Sequence, residues 1–238
     1  MRPDFKMSLP KNIVRLAGIF YLIEIVAGIF TEAFVRGKIV VAGNAAATAN
    51  NILTSTNLWR IGFASDLTML LCDVFVTLIL YALLKHLNKN IALIAAAFSL
   101  ITDAIQALSA LFHFTPLFIL GDNHLTSFAP NQQQDLTMLF LHLRDYGNMI
   151  GLVFFSFHCV LLGYLIYKSP LPKILGVFFV AAGLCYFINS FSWFLYPSFA
   201  ANLFPFILLP CLVAELSLSL WFMFKGNKVQ NELVKMSE

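Results

Sequence analysis

Six stretches of this chain are apolar over lengths that match a bilayer, and that feature leaves little choice of fold. A helix needs about 20 apolar residues to cross the hydrocarbon core. The stretches at roughly 16–35, 61–84, 91–118, 138–167, 173–195 and 203–224 each meet that requirement. Inside lipid every backbone N–H and C=O must be paired within the protein, so such stretches become helices. The expected fold is all-α: a polytopic membrane bundle of six transmembrane helices, forming one domain over residues 1–238. Composition agrees, since 60% of the residues are hydrophobic and 11% charged, a balance foreign to soluble domains of this length. The first stretch is read as a span and not as a cleaved leader, because it is long and carries an internal Glu24.

The basic residues set the orientation. With the N-terminus cytoplasmic, the inner side holds Arg2, Lys6, Lys11, Arg15, Lys85, Lys89, Lys168, Lys173, Lys225, Lys228 and Lys235, eleven of the 15. Arg36, Lys38, Arg60 and Arg144 fall in the outer half. That split predicts N-in and C-in. These lysines and arginines sit in short connections and read as topology signals facing a lipid bilayer, so nucleic acid is not an expected partner. The oligomeric state is not fixed by the sequence. Two outer connections, 37–59 and 120–135, are the longer ones, and the first, "GNAAATANNILTSTNLW", reads as a short helix or loop over the bundle mouth. Cys72, Cys159, Cys185 and Cys211 lie singly in apolar segments, without ligand or disulfide spacing.

Counting about 1.5 Å per residue from the basic surface residues, the polar side chains fall at two depths. A central layer holds Glu24, Asp73, Asp103 with Gln106, His158 and Glu215, contributed by five of the six spans, with Tyr186 and Asn189 nearby on the remaining one. A layer nearer the outer surface holds Glu32, Arg36, Arg60, Asp66, His113, His142, Arg144 and Asp145. The outer set balances acids against arginines, so it can close on itself as ion pairs that hold helix ends together. It could also form a vestibule for an anionic or polar ligand. The central set has four carboxylates, one histidine and no Lys or Arg. Each mid-membrane acid costs about 2.5–3.5 kcal/mol on insertion scales, so protons, a bound cation or a water-filled cavity must offset them.

Helical phase indicates which residues meet. "SDLTMLLCDV" places Asp66 and Asp73 two turns apart on one face. Asp103, Gln106, Ala110 and His113 form a second stripe, and Arg144, Asn148, Gly151, Phe155 and His158 a third. Three polar lines running from mouth to centre describe a blind polar cavity open to the outside. His142 and His158 stand about 160° apart around an ideal helix and are not expected to share a metal.

The stretches "RLAGIFYLIEIVAGIF" (15–30), "AATANNIL" (46–53), "RIGFASDLTMLLCDV" (60–74), "YGNMIGLVFFSFHCVLLGYL" (146–165), "LPKILGVFFVAAGLCYFINSF" (171–191) and "LLPCLVAELSLSLWFMFKG" (208–226) together resemble a bacterial membrane-protein family known as domain of unknown function 4386. The resemblance spans about 15–226. It implies a six-span, multi-pass protein of the bacterial cytoplasmic membrane and supplies no catalytic residue.

Three functions fit these residues. The first is binding or transport of a proton, cation or small polar ligand at the central acids. The second is a metal-dependent intramembrane enzyme acting on a lipid-like substrate, with His158 and some of Glu24, Asp73, Asp103 and Glu215 holding a divalent cation. The third is an accessory or signalling subunit whose polar layers only specify helix packing.

Overall fold

The structure is a computed structural model that describes residues 12–121, 125 and 127–237, with side chains described as far as Gly226. Arg2, Lys6 and Lys11 of the inner basic set lie outside the described residues, as do the side chains of Lys228 and Lys235. The described chain is helical, without a strand. In order it forms α1 (Ile13–Ile29), a π-helical segment Phe30–Arg36, α2 (Gly37–Ile39), α3 (Ala45–Thr54), α4 (Thr56–Leu84), α5 (Lys89–Leu120), α6 (Pro130–Lys168), α7 (Lys173–Leu195), α8 (Pro197–Leu203), a 3₁₀ turn Phe206–Leu208 and α9 (Leu209–Ser237).

Six of these pieces are long and apolar enough to cross a membrane: Ile13–Ile39, Thr56–Leu84, Lys89–Leu120, Pro130–Lys168, Lys173–Leu195 and Phe206–Gly226. The protein is therefore a multi-pass bundle of six helices. The fourth span begins well before the apolar run at 138, because Pro130 opens the helix and Gln132 accepts a hydrogen bond from the Ala129 N–H. The polar "NQQQD" turns carry it beyond the apolar stretch. "LNKN" ends one helix and starts the next, with Asn88 accepting from the Ile91 N–H at 3.1 Å. In "KSPLPK", Ser169 donates to the Ile166 carbonyl and accepts from the Leu171 N–H, so a tight turn joins α6 to α7.

Each span packs on the next in sequence, and α9 closes the ring against α1. Two joints are close enough to require glycine. A Cβ on Gly18 would lie 2.7 Å from the Ser219 carbonyl oxygen and from the Met223 nitrogen, and one on Gly176 would lie 2.6 Å from the Gly163 carbonyl oxygen. The first joint is also tied by Ser219 donating to the Gly18 carbonyl and Arg15 to the Met223 carbonyl.

The half of the ring that carries the described ends is filled by one apolar cluster, including Val14, Ala17, Leu80, Leu83, Leu162, Ile166, Phe179, Leu218 and Phe222. A smaller cluster, Val35, Ile39, Ile52, Trp59 and Leu141, sits at the opposite end beneath α3. The connection 37–59 thus holds a short helix, seated by the fully buried Ile52 and started by Asn44, which accepts from the Ala47 N–H. Between the two apolar masses the ring is not filled by hydrocarbon.

Candidate functional site

A cavity of about 430 Å³ occupies this interior, and all six spans contribute to its lining. Glu32, Asp66 and Arg144 line its α3 end, while Glu24, Asp73, Asp103, Gln106 and Glu215 line the deeper part. Ile25 and Phe155 belong both to the lining and to the large apolar cluster, which therefore forms the cavity floor.

The residues at the α3 end form a closed ionic network. Arg36 pairs with Asp145 at 2.5 Å and with Glu32 at 3.4 Å. Arg144 pairs with Glu32 at 2.5 Å, and reaches Asp145 at 3.5 Å and Asp66 at 3.9 Å. Asp66 also stands 2.9 Å from His113 Nδ1, although the ring N–H is poorly aimed at it. The imidazole is fully buried beside Trp59, with ring centres 4.4 Å apart, and the Trp59 indole N–H donates to the His113 carbonyl. Glu32 and Arg36 come from the π-helical segment, the kind of local rewinding that occurs at functional positions within longer helices.

Arg60 and His142 were expected in this layer by depth, and both stand apart from it. Arg60 is exposed, its guanidinium 5.9 Å from the centre of the Phe114 ring, and His142 is exposed as well. The cause is helical phase. Arg60 precedes Asp66 by six residues and His142 precedes Arg144 by two, offsets that turn each away from the inward face.

The deeper acids are held differently. Asp73 accepts from Ser99 at 3.2 Å and from Thr77 at 3.4 Å, and the two hydroxyls are 2.7 Å from each other. Asp103 stands within hydrogen-bonding reach of Asp73. Asp103 is only 7% exposed, and its Oδ2 has no hydrogen-bond partner in the protein. Glu24 Oε2 is likewise buried and unpartnered. Glu215 accepts from the Tyr186 hydroxyl at 2.7 Å. Ser99 and Thr77 were not singled out in the sequence, yet each lies one turn from an acid, four residues before Asp103 and four after Asp73.

His158 does not line this cavity. Its Nδ1 is 2.9 Å from the Ala95 carbonyl, which only accepts, so Nδ1 carries the proton. The imidazole stacks on Phe155 and borders a separate crevice of about 10 Å³ shared with Thr77 and Leu162. Among the described residues no three His, Cys, Asp or Glu side chains are grouped as a metal site would require. The carboxylates ring the cavity instead of converging on one point.

A relative from Archaeoglobus fulgidus (strain ATCC 49558 / DSM 4304 / JCM 9628 / NBRC 100126 / VC-16), an uncharacterized protein, is 28% identical over 162 residues, covering 68% of this chain and 81% of its own. No solved structure matches the chain. The family described as Domain of unknown function (DUF4386) matches residues 16–226, most of the chain, and the protein belongs to that family.

Proposed function

We propose that the chain binds a proton or cation at its central carboxylates, together with a small solute that enters from outside, and that it carries or senses that solute. The observation behind this reading is the lining itself. Glu24, Asp73, Asp103 and Glu215 reach one cavity from four different helices, and the one basic side chain in that lining, Arg144, is engaged by Glu32, Asp66 and Asp145. Acids in a membrane interior require a proton or cation, and such residues mark ion and substrate paths. Asp73 and Asp103 are neighbours in that lining, and two carboxylates so placed repel each other unless a proton or cation lies between them.

The setting we propose is the bacterial cytoplasmic membrane, N-in and C-in. Arg15, Lys85, Lys89, Lys168, Lys173 and Lys225 support it, marking the ends of spans on the side filled by the large apolar cluster. With that cluster as floor, the cavity is blind toward the cytoplasm and served from outside. The experiment is proton and cation binding by the purified protein in nanodiscs, for wild type and for Asp73→Asn and Asp103→Asn. Loss of a titrating proton or of cation affinity in both variants is the expected result. Identical binding in all three proteins would leave the acids a packing role only.

A further inference from the structure

We infer that the solute is an amphiphilic organic cation, an ammonium-type head on an apolar body. This rests on the reading that the central cavity is a binding site, and it names the ligand class.

The charge of the lining is the first reason. At the α3 end every acid has a cationic or imidazole neighbour. In the deeper part the acids are hydrogen-bonded to hydroxyls or face each other, with Ser99 and Thr77 on Asp73, Tyr186 on Glu215 and Asp73 beside Asp103, and the His158 imidazole near Asp73 is turned to the Ala95 carbonyl. Asp103 is the second, independent observation: it lines the cavity, is more than nine-tenths buried, and takes no hydrogen bond from an N–H or hydroxyl of the protein. An unpartnered buried acceptor carries a desolvation cost that a cationic N–H or ammonium group would offset. An anionic ligand would meet four acids with no free base.

The second reason is shape. A small inorganic ion is held by several ligands converging at one short radius, and no such group of three exists among the described residues. The volume, about 430 Å³, lies in the range of sites for small organic molecules.

The third is the wall between the acids. Ile25, Ile29, Leu70, Leu152, Phe155 and Leu212 are apolar and would stay poorly solvated around a fully hydrophilic solute. Tyr186, which donates to Glu215, meets Phe155 edge to face at 5.4 Å, and both rings line the cavity, a combination of ring and carboxylate that suits an alkylammonium head. An apolar body against Leu152 and Leu212, with the head among Glu24, Asp103 and Glu215, satisfies both halves of the lining.

The probe is benzylammonium, added to the full-length protein in nanodiscs and followed by calorimetry, with benzyl alcohol as the neutral control and Mg²⁺ and K⁺ as inorganic controls. Saturable binding of benzylammonium alone is expected, weakened about tenfold or more in Asp103→Asn and in Glu24→Gln. Leu152→Trp, which fills the apolar wall, should abolish binding of the probe. Binding of Mg²⁺ or K⁺ without the organic cation would overturn the ligand class and leave the cation site standing. Equal binding of benzyl alcohol and the probe would also overturn it, since charge would then play no part. Absence of every ligand, with proton uptake unchanged by Asp73→Asn and Asp103→Asn, would remove the site itself.

Discussion

Asp103 stands within hydrogen-bonding reach of Asp73, whose own oxygens already take Ser99 and Thr77, and it keeps one buried oxygen with no protein partner. The pair is therefore asymmetric: both acids line the cavity, but Asp73 is anchored by two hydroxyls and Asp103 by none. Asp103→Asn should weaken cation or proton binding more than Asp73→Asn, and Asp73→Asn should additionally disturb the α4–α5 joint. The double variant should depart from additivity by about 1 kcal/mol or more, because the two carboxyl groups are direct neighbours. Binding isotherms of the four proteins give the cycle, and strict additivity would mean that the two acids act separately.

The ionic network at the α3 end makes a different prediction, because its members are paired. Arg144 is 7% exposed and is shared by Glu32, Asp145 and Asp66. Arg144→Met should deprive Glu32 and Asp66 of the guanidinium they share, leaving Asp66 with His113 alone, and breaking a buried pair by removing one partner costs about 3–5 kcal/mol. The lower part of that range applies, since the Glu32 side chain is half exposed and retains Arg36. Thermal unfolding in detergent should show the loss, and Asp66→Asn combined with Arg144→Met should recover part of it. By contrast Arg60→Ala, exposed and outside the network, should leave the melting temperature within about 1 °C.

Much of this arrangement was legible from hydropathy and helical phase. The six spans follow from apolar length, and the common face of Asp66 and Asp73 follows from their seven-residue spacing. Depth alone was a weaker guide, as Arg60 and His142 show: a residue at the correct level still misses the inward face if its angle is wrong. His158 had both depth and stripe in its favour, yet the Ala95 carbonyl of the neighbouring helix captures its ring nitrogen. Which carbonyl comes within reach depends on how closely α5 and α6 pack, which single-helix periodicity does not contain. The π-helical winding at Phe30–Arg36 was equally hidden, because it reflects how Glu32 and Arg36 are drawn to Arg144 and Asp145 on α6.

The placement of His158 separates a structural from a ligand-binding role. His158→Gln should leave affinity for the organic cation within about twofold of wild type, because the side chain lies outside the main lining. It should still cost stability, on the order of 1 kcal/mol, through the lost hydrogen bond to the Ala95 carbonyl. Cation calorimetry and thermal melting on the same preparation test the two halves. A large loss of affinity with unchanged melting would place His158 among the binding groups after all.

The ring closure gives a prediction that bears on every other one, since the cavity exists only while α9 stays on α1. Gly18 brings the two backbones together, and the contact is tied by Ser219 and Arg15. Gly18→Leu would force a side chain into the Ser219 carbonyl and Met223 nitrogen, both backbone atoms that cannot rotate away. Overpacking of a tight joint costs about 1–3 kcal/mol, and backbone collisions stand at the upper end. Ser219→Ala removes one hydrogen bond without adding volume and should cost about 1 kcal/mol. Glu24 and Glu215 sit on these same two helices, so a Gly18→Leu protein that still folds should hold them farther apart and bind the organic cation more weakly, whereas Ser219→Ala should bind as wild type does. Melting curves and calorimetry of both variants decide it, and a Gly18→Leu protein with wild-type stability and affinity would show that α1 and α9 do not need this contact to form the site.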